Sequence, residues 1–99
     1  TTIGRRHVAP VDRALAEREA GGLSGAPLTR RAREVVARIR AATDLPQIGV
    51  GGVMTVDDAA AMLDAGADLV QVYTGLIYAG PALVRQVAAL PARPARAAR

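Results

Sequence analysis

The chain contains no cysteine and no lysine, and its aromatics are limited to two tyrosines, Tyr73 and Tyr78. Without cysteine it has neither disulfides nor thiolate chemistry, and its redox compartment stays open. Without lysine it can supply no Schiff-base or general-base amine. Two aromatics are too few for the stacking platforms on which single-stranded nucleic acids rest, so no nucleic-acid partner is expected. No apolar run reaches the length of a membrane span, and no signal peptide stands at Thr1. The chain opens abruptly on Thr1-Thr2 with no initiating Met, and is expected to begin mid-protein. Only one histidine is present. It is His7, in a mixed stretch with no partner nearby, where an inert role is expected.

What is present is arginine. All 13 basic residues are arginine, and the formal net charge is +4. Arg30, Arg31, Arg33, Arg38 and Arg40 crowd one segment and are expected to form a solvated helix face. Glu34 and Arg38 are spaced to pair at i, i+4. A chain of 99 residues can build one small domain with a modest core.

Its organising stretch runs from Pro46 to Gly75. Ile48-Gly49-Val50 is an apolar run ending in Gly51-Gly52. A helical segment follows, and a second apolar run, Leu69 to Tyr73, ends in Thr74-Gly75. Two short β-rich runs joined by one helix predict a βαβ unit with parallel strands, Gln47 to Val50 and Leu69 to Tyr73. A right-handed crossover brings both strand C-termini to the same edge of the sheet. Glycine there lets backbone N–H groups approach an anion, and a following helix N-terminus adds partial positive charge. The pair of strand ends is therefore expected to cradle a phosphate, as after the last two strands of eight-stranded barrels. A side chain at Gly52 is expected to enter the space of that phosphate.

Around this unit lie further elements. His7 to Glu19 predicts a long loop with one helical turn near Arg13 to Arg18. Gly21-Gly22-Leu23-Ser24-Gly25 predicts either a plain turn or a loop whose N–H groups face a ligand. Ala32, Val35, Val36 and Ile39 show the i, i+3, i+4, i+7 spacing of an amphipathic helix over Thr29 to Thr43, with Thr29 as its N-cap. Thr55 caps a second helix to Ala65, with Val56, Ala59, Ala60 and Leu63 as its stripe and Gly66 at C′. Asp57 and Asp58 sit in its first turn, where a capping role is expected rather than metal binding. Pro81 starts a last helix to Leu90, whose stripe is Leu83, Val87 and Leu90. Pro91 to Arg99, PARPARAAR, has nothing to bury and is expected to be a disordered tail. Two strands cannot make a parallel sheet covered on both faces, so residues 1–90 are expected to be the last part of a larger α/β domain.

Four segments occur together in order: TTIGR at Thr1 to Arg5, GGLSGAPL at Gly21 to Leu28, IGVGGV at Ile48 to Val53, and DLVQVYTGLIYAGP at Asp68 to Pro81. They closely resemble the C-terminal part of the quinone-dependent (class 2) dihydroorotate dehydrogenases, over roughly residues 1 to 90. The YTGLIYxGP form and the TTIxR opening resemble class 2 more than the soluble class 1. The resemblance implies an α/β fold, a C-terminal fragment of a TIM (β/α)8 barrel with FMN at its top face. It implies an enzyme of pyrimidine biosynthesis that oxidises dihydroorotate to orotate through the flavin and then reduces a membrane quinone. Backbone amides of Gly51, Gly52, Tyr73 and Thr74 would hold the FMN phosphate. Ser24 and Gly25 would close the pocket, and Thr1 would touch orotate as the first threonine of the family's Asn-Thr-Thr motif. The asparagine before Thr1, the catalytic serine, the flavin-contacting lysine and the membrane-docking helices are not in this sequence. The chain alone is expected to be soluble and inactive, and its parent peripheral on the cytoplasmic face of the cell membrane. The family would finish with more helix where this sequence has PARPARAAR. Two alternatives stand beside this reading: another FMN- or phosphate-binding barrel enzyme, and a stand-alone basic binding module.

Overall fold

The computed structural model describes residues 2–4, 17–18 and 21–91. Thr1, His7 and residues 92–99 of the expected tail lie outside the described residues. So does most of the turn expected at Arg13 to Arg18, of which Glu17 and Arg18 are described and helical.

After a 3-10 turn at Ala26–Leu28, the chain forms α1 (Thr29–Ala42), β1 (Ile48–Val50), α2 (Val56–Asp64), β2 (Leu69–Gln71), α3 (Thr74–Ala79) and α4 (Pro81–Ala88). The two strands pair in parallel, with Ile48 opposite Leu69 and Val50 opposite Gln71. This is the expected βαβ unit. Its strands are shorter than expected, because Gln47, Val72 and Tyr73 lie outside the ladder. Thr74–Ala79, which carries no clear apolar period, is a helix of its own.

α1 packs against β1 and α2 against β2. α1 buries Ala32 and Val36, while Val35 and Ile39 stay 38% and 44% exposed. α2 buries Ala59 and Met62, so its packed stripe is rotated from the Val56, Ala59, Ala60, Leu63 set expected. The cause is Gly49: a Cβ there would meet Met62 Cγ at 2.5 Å and Ala67 Cβ at 3.0 Å, so the missing side chain is the hole that Met62 fills. Met62 and Leu83 are the largest fully buried side chains, each worth about 1.5–3 kcal/mol of transfer free energy.

The helix ends follow local chemistry. Thr55 accepts from Asp58 N–H, and Asp58 accepts in turn from Thr55 N–H, a reciprocal capping box. Gly66, at C′, has φ 120°. Pro81 opens α4. Thr29 does not cap α1. Leu28 occupies the N-cap position without a side-chain bond, because the preceding 3-10 turn runs directly into the helix. The Thr29 hydroxyl instead donates to Gly52 O at 2.6 Å. Glu34 pairs with Arg30 at 3.4 Å and Arg31 at 3.6 Å, and the expected pair with Arg38 does not form.

At the N-terminal end of the strands, Arg40 works as a clamp. Its guanidinium donates to Gly66 O at 2.9 Å, to Thr43 O and Leu45 O at 3.2 Å, and to Asp68 Oδ2 at 2.7 Å. Asp68 also accepts from Gln47 N–H at 2.8 Å. One side chain thus ties α1, the entry to β1 and the α2–β2 turn together.

Candidate functional site

The opposite, C-terminal end of the ribbon carries the site. Because β1 and β2 are parallel neighbours, the chain leaves both at one edge, through Gly51-Gly52 and through Val72-Tyr73-Thr74. Gly51 and Gly52 have φ 108° and 69°, a left-handed region that a side chain resists. The Gly21 to Gly25 loop joins them from a third direction. Ile3 and Leu23 exchange two backbone hydrogen bonds, 2.9 and 3.1 Å, which pin this loop beside the strand ends. Gly25, at φ 83°, then starts the 3-10 turn by accepting from Leu28 N–H. Thr74 Oγ1 donates to Ser24 Oγ at 3.2 Å, closing the ring between loop and β2 end.

These segments enclose a cleft of about 290 Å³. Ser24, Gly25, Gly51, Gly52, Tyr73 and Thr74 all line it, so the structure brings six of the seven expected site residues together. The seventh, Thr1, lies outside the described residues. Gly75, the glycine of the second strand end, also lines the cleft, as do Thr2, Val50, Val53 and Gln71, to which the sequence reading gives no site role. For Gln71 the signal was available: it is the polar residue of an apolar strand, two positions before Tyr73. Among the described residues no charged side chain lines the cleft, so from these an anion would be met by backbone dipoles and hydroxyls.

One expectation about the glycines is corrected. A Cβ on Gly52 would not enter the cleft. It would run into the backbone N and Cα of Thr29, with Thr29 Oγ1 2.7 Å away. A Cβ on Gly51 would meet Leu28 Cδ2 at 2.6 Å. Both glycines are therefore needed for the approach of α1, and their side-chain-free backbone faces the cleft as a result. The helix after the glycine pair, α2, begins only at Val56, and its capping box takes up the Asp58 amide of its first turn. At the other strand end Tyr73 is the N-cap of α3, with no side-chain cap bond, so the first amides of that short helix keep their donor capacity. Gly75 lets α3 approach closely, since a Cβ there would strike Val53 O.

Four of the five arginines of α1 are engaged by carboxylates of the chain: Arg30 and Arg31 by Glu34, Arg33 by Asp58, Arg40 by Asp68. Asp58 thus serves both the cap and Arg33. Among the described residues no group of three or more His, Cys, Asp or Glu could hold a metal ion, and no helix is long and apolar enough to cross a membrane.

A sequence model of the dihydroorotate dehydrogenase family matches residues 1–90. The chain belongs to this family. It is 58% identical over 96 residues to a dihydroorotate dehydrogenase (quinone) of Salinispora arenicola, covering 95% of this chain and 28% of that protein. A second, from Albidiferax ferrireducens, is 60% identical over 74 residues, covering 73% and 21%. The crystal structure of DHODH from Eimeria tenella in complex with ferulenol superposes with a TM-score of 0.76 at 35% identity, covering 88% of this chain and 23% of that one. These neighbours are TIM barrels, and the βαβ ribbon with its flanking helices corresponds to part of one. The chain spans about a quarter of the length of the relatives it matches. On the face of the ribbon opposite α2, Ile48 and Leu69 are 61% and 64% exposed.

Proposed function

We propose that this chain forms the phosphate-binding part of a quinone-dependent dihydroorotate dehydrogenase, with FMN as its cofactor. The observation that carries the reading is the meeting of Gly51-Gly52 and Tyr73-Thr74 at the ends of two adjacent parallel strands, around one cleft. Backbone amides of these four residues hold the FMN phosphate, and Ser24 and Gly25 close it in from the pinned loop. The cleft fits such a group: it is lined by glycine backbone and hydroxyls and walled by Val50 and Val53. Thr1 touches the orotate.

When bound, the flavin accepts the hydride from dihydroorotate and passes electrons to a quinone. The residues of this chain do none of that chemistry. They would hold the phosphate end of the cofactor, which is a positioning role. Residues 1–90 form the barrel part and 91–99 a tail outside it. The catalytic base, the wall of the flavin ring and the membrane-docking helices at the cytoplasmic face belong to the rest of the parent protein. The Arg40 clamp lies at the end of the strands remote from the cleft, where a stabilising role is expected.

The test is a chimera in which this chain replaces the matching segment of the Salinispora arenicola relative. The expected result is a folded protein that retains FMN and reduces a quinone with dihydroorotate. A chimera that folds by circular dichroism but purifies without flavin would refute the reading.

A further inference from the structure

Gln71 is the polar exception on the bare face of the ribbon. Gly49 faces α2, because its Cβ would meet Met62. Alternation along the strand turns Ile48 and Val50 to the other face, and the register puts Leu69 and Gln71 beside them. That face is apolar at Ile48, Val50 and Leu69, as barrel interiors usually are. At its C-terminal margin stands a carboxamide. Gln71 lines the same cleft as the glycine pair, and among the described residues no hydrogen bond engages its side chain. A carboxamide buried inside a barrel needs partners.

We infer that Gln71 is a ligand-binding residue, whose carboxamide recognises the hydroxylated carbon chain attached to the phosphate; this rests on the phosphate reading above. Gln71 sits two residues below Tyr73, roughly 6.6 Å along the strand, about the reach from a phosphate to the second or third carbon beyond it. A carboxamide has both donors and an acceptor, which matches hydroxyl groups, whereas phosphate oxygens only accept. In FMN the matching group is the ribityl chain. Gln71 therefore distinguishes a polyol phosphate from phosphate alone.

Nitrogen-15 NMR of the flavin-stripped chimera, labelled on glycine, threonine and glutamine and titrated separately with FMN and with inorganic phosphate, tests this. FMN is expected to shift the backbone amides of Gly51, Gly52 and Thr74 together with the side-chain amide of Gln71. Inorganic phosphate is expected to shift the backbone amides alone. In the chimera, Gln71→Leu is expected to raise the FMN dissociation constant about threefold to tenfold, the worth of one or two hydrogen bonds. Glycine amides that respond to FMN while the Gln71 amide does not, with unchanged affinity in Gln71→Leu, would overturn the inference and leave the phosphate reading standing. Glycine amides that respond to neither ligand would overturn both.

Discussion

Replacing Gly52 by alanine separates two reasons for a glycine at a phosphate cradle. The structure assigns the position two penalties. The first is conformational: φ is 69°, and an L-residue there costs about 1–2 kcal/mol. The second is steric: the new methyl meets the backbone of Thr29, which heads α1 and cannot rotate away. Overpacking of this kind costs about 1–3 kcal/mol. The sum is about 2–5 kcal/mol, a large part of a small domain's stability. Any shift of Thr29 also stretches the 2.6 Å bond from its hydroxyl to Gly52 O. Gly80 supplies the control. Its φ is 73°, yet a Cβ there would meet nothing within 4 Å. Gly80→Ala, at φ 73° and ψ −170°, should therefore carry a backbone penalty with no clash. Thermal unfolding of both variants is followed by circular dichroism. At about 4–8 °C per kcal/mol, the sum of about 2–5 kcal/mol should lower the Gly52→Ala midpoint by at least about 8 °C from the parent chain, and further than Gly80→Ala. Equal midpoints would refute the packing argument. Flavin loss from a Gly52→Ala chimera of normal stability would show instead that the glycine admits the ligand.

Arg40→Met should destabilise the chain by about 2–4 kcal/mol, because it removes the guanidinium's bonds to Asp68 and to three carbonyls; urea unfolding would show it, and a change below about 1 kcal/mol would mean water replaces the guanidinium. Thr55→Ala should cost about 0.5–2 kcal/mol through loss of the capping box, measured in the same way, with no effect on FMN affinity in the chimera. The chain by itself should not oxidise dihydroorotate and should bind FMN weakly. It should also self-associate in sedimentation experiments, because Ile48 and Leu69 stand bare on the ribbon. Saturable FMN binding at low micromolar concentration by a monomer would contradict this.

The sequence carried the topology well and the packing less well, for a definable reason. Alternating apolar runs and amphipathic segments are local signals, and they located β1, β2, α1, α2 and α4 within a few residues. The capping box at Thr55 and Asp58 is also local, since both partners lie within four residues, and it formed as expected. Thr29 misled because the same residue type can cap its own helix or bond elsewhere. Its choice of Gly52 O, 23 residues away, depends on how closely α1 approaches the glycine pair. That approach depends on the absence of a side chain at Gly51 and Gly52, which a sequence reads only as backbone freedom. The same ambiguity covers Gly49 and Met62: in the sequence the glycine is only part of an apolar run, and it is the hole that decides the rotation of α2. In this ribbon, then, the glycines do two jobs at once. Toward the helices each one is a contact that a single methyl would break. Toward the cleft each leaves bare backbone at the strand ends, and the two faces cannot be altered independently. A substitution that improves packing on the helix side will therefore change the shape of the proposed phosphate cradle, and this coupling is open to measurement at Gly51, where only the side chain of Leu28 stands in the way. Trimming it in the pair Gly51→Ala with Leu28→Ala should relieve the steric part while keeping φ strained, so that stability recovers relative to Gly51→Ala alone only if the cavity left by Leu28 costs less than the clash. A leucine-to-alanine cavity costs about 2–5 kcal/mol against about 1–3 for the clash, so the double variant should be no more stable than Gly51→Ala. A clear recovery in its thermal midpoint would show that the clash had been underestimated and that packing against α1 dominates at Gly51.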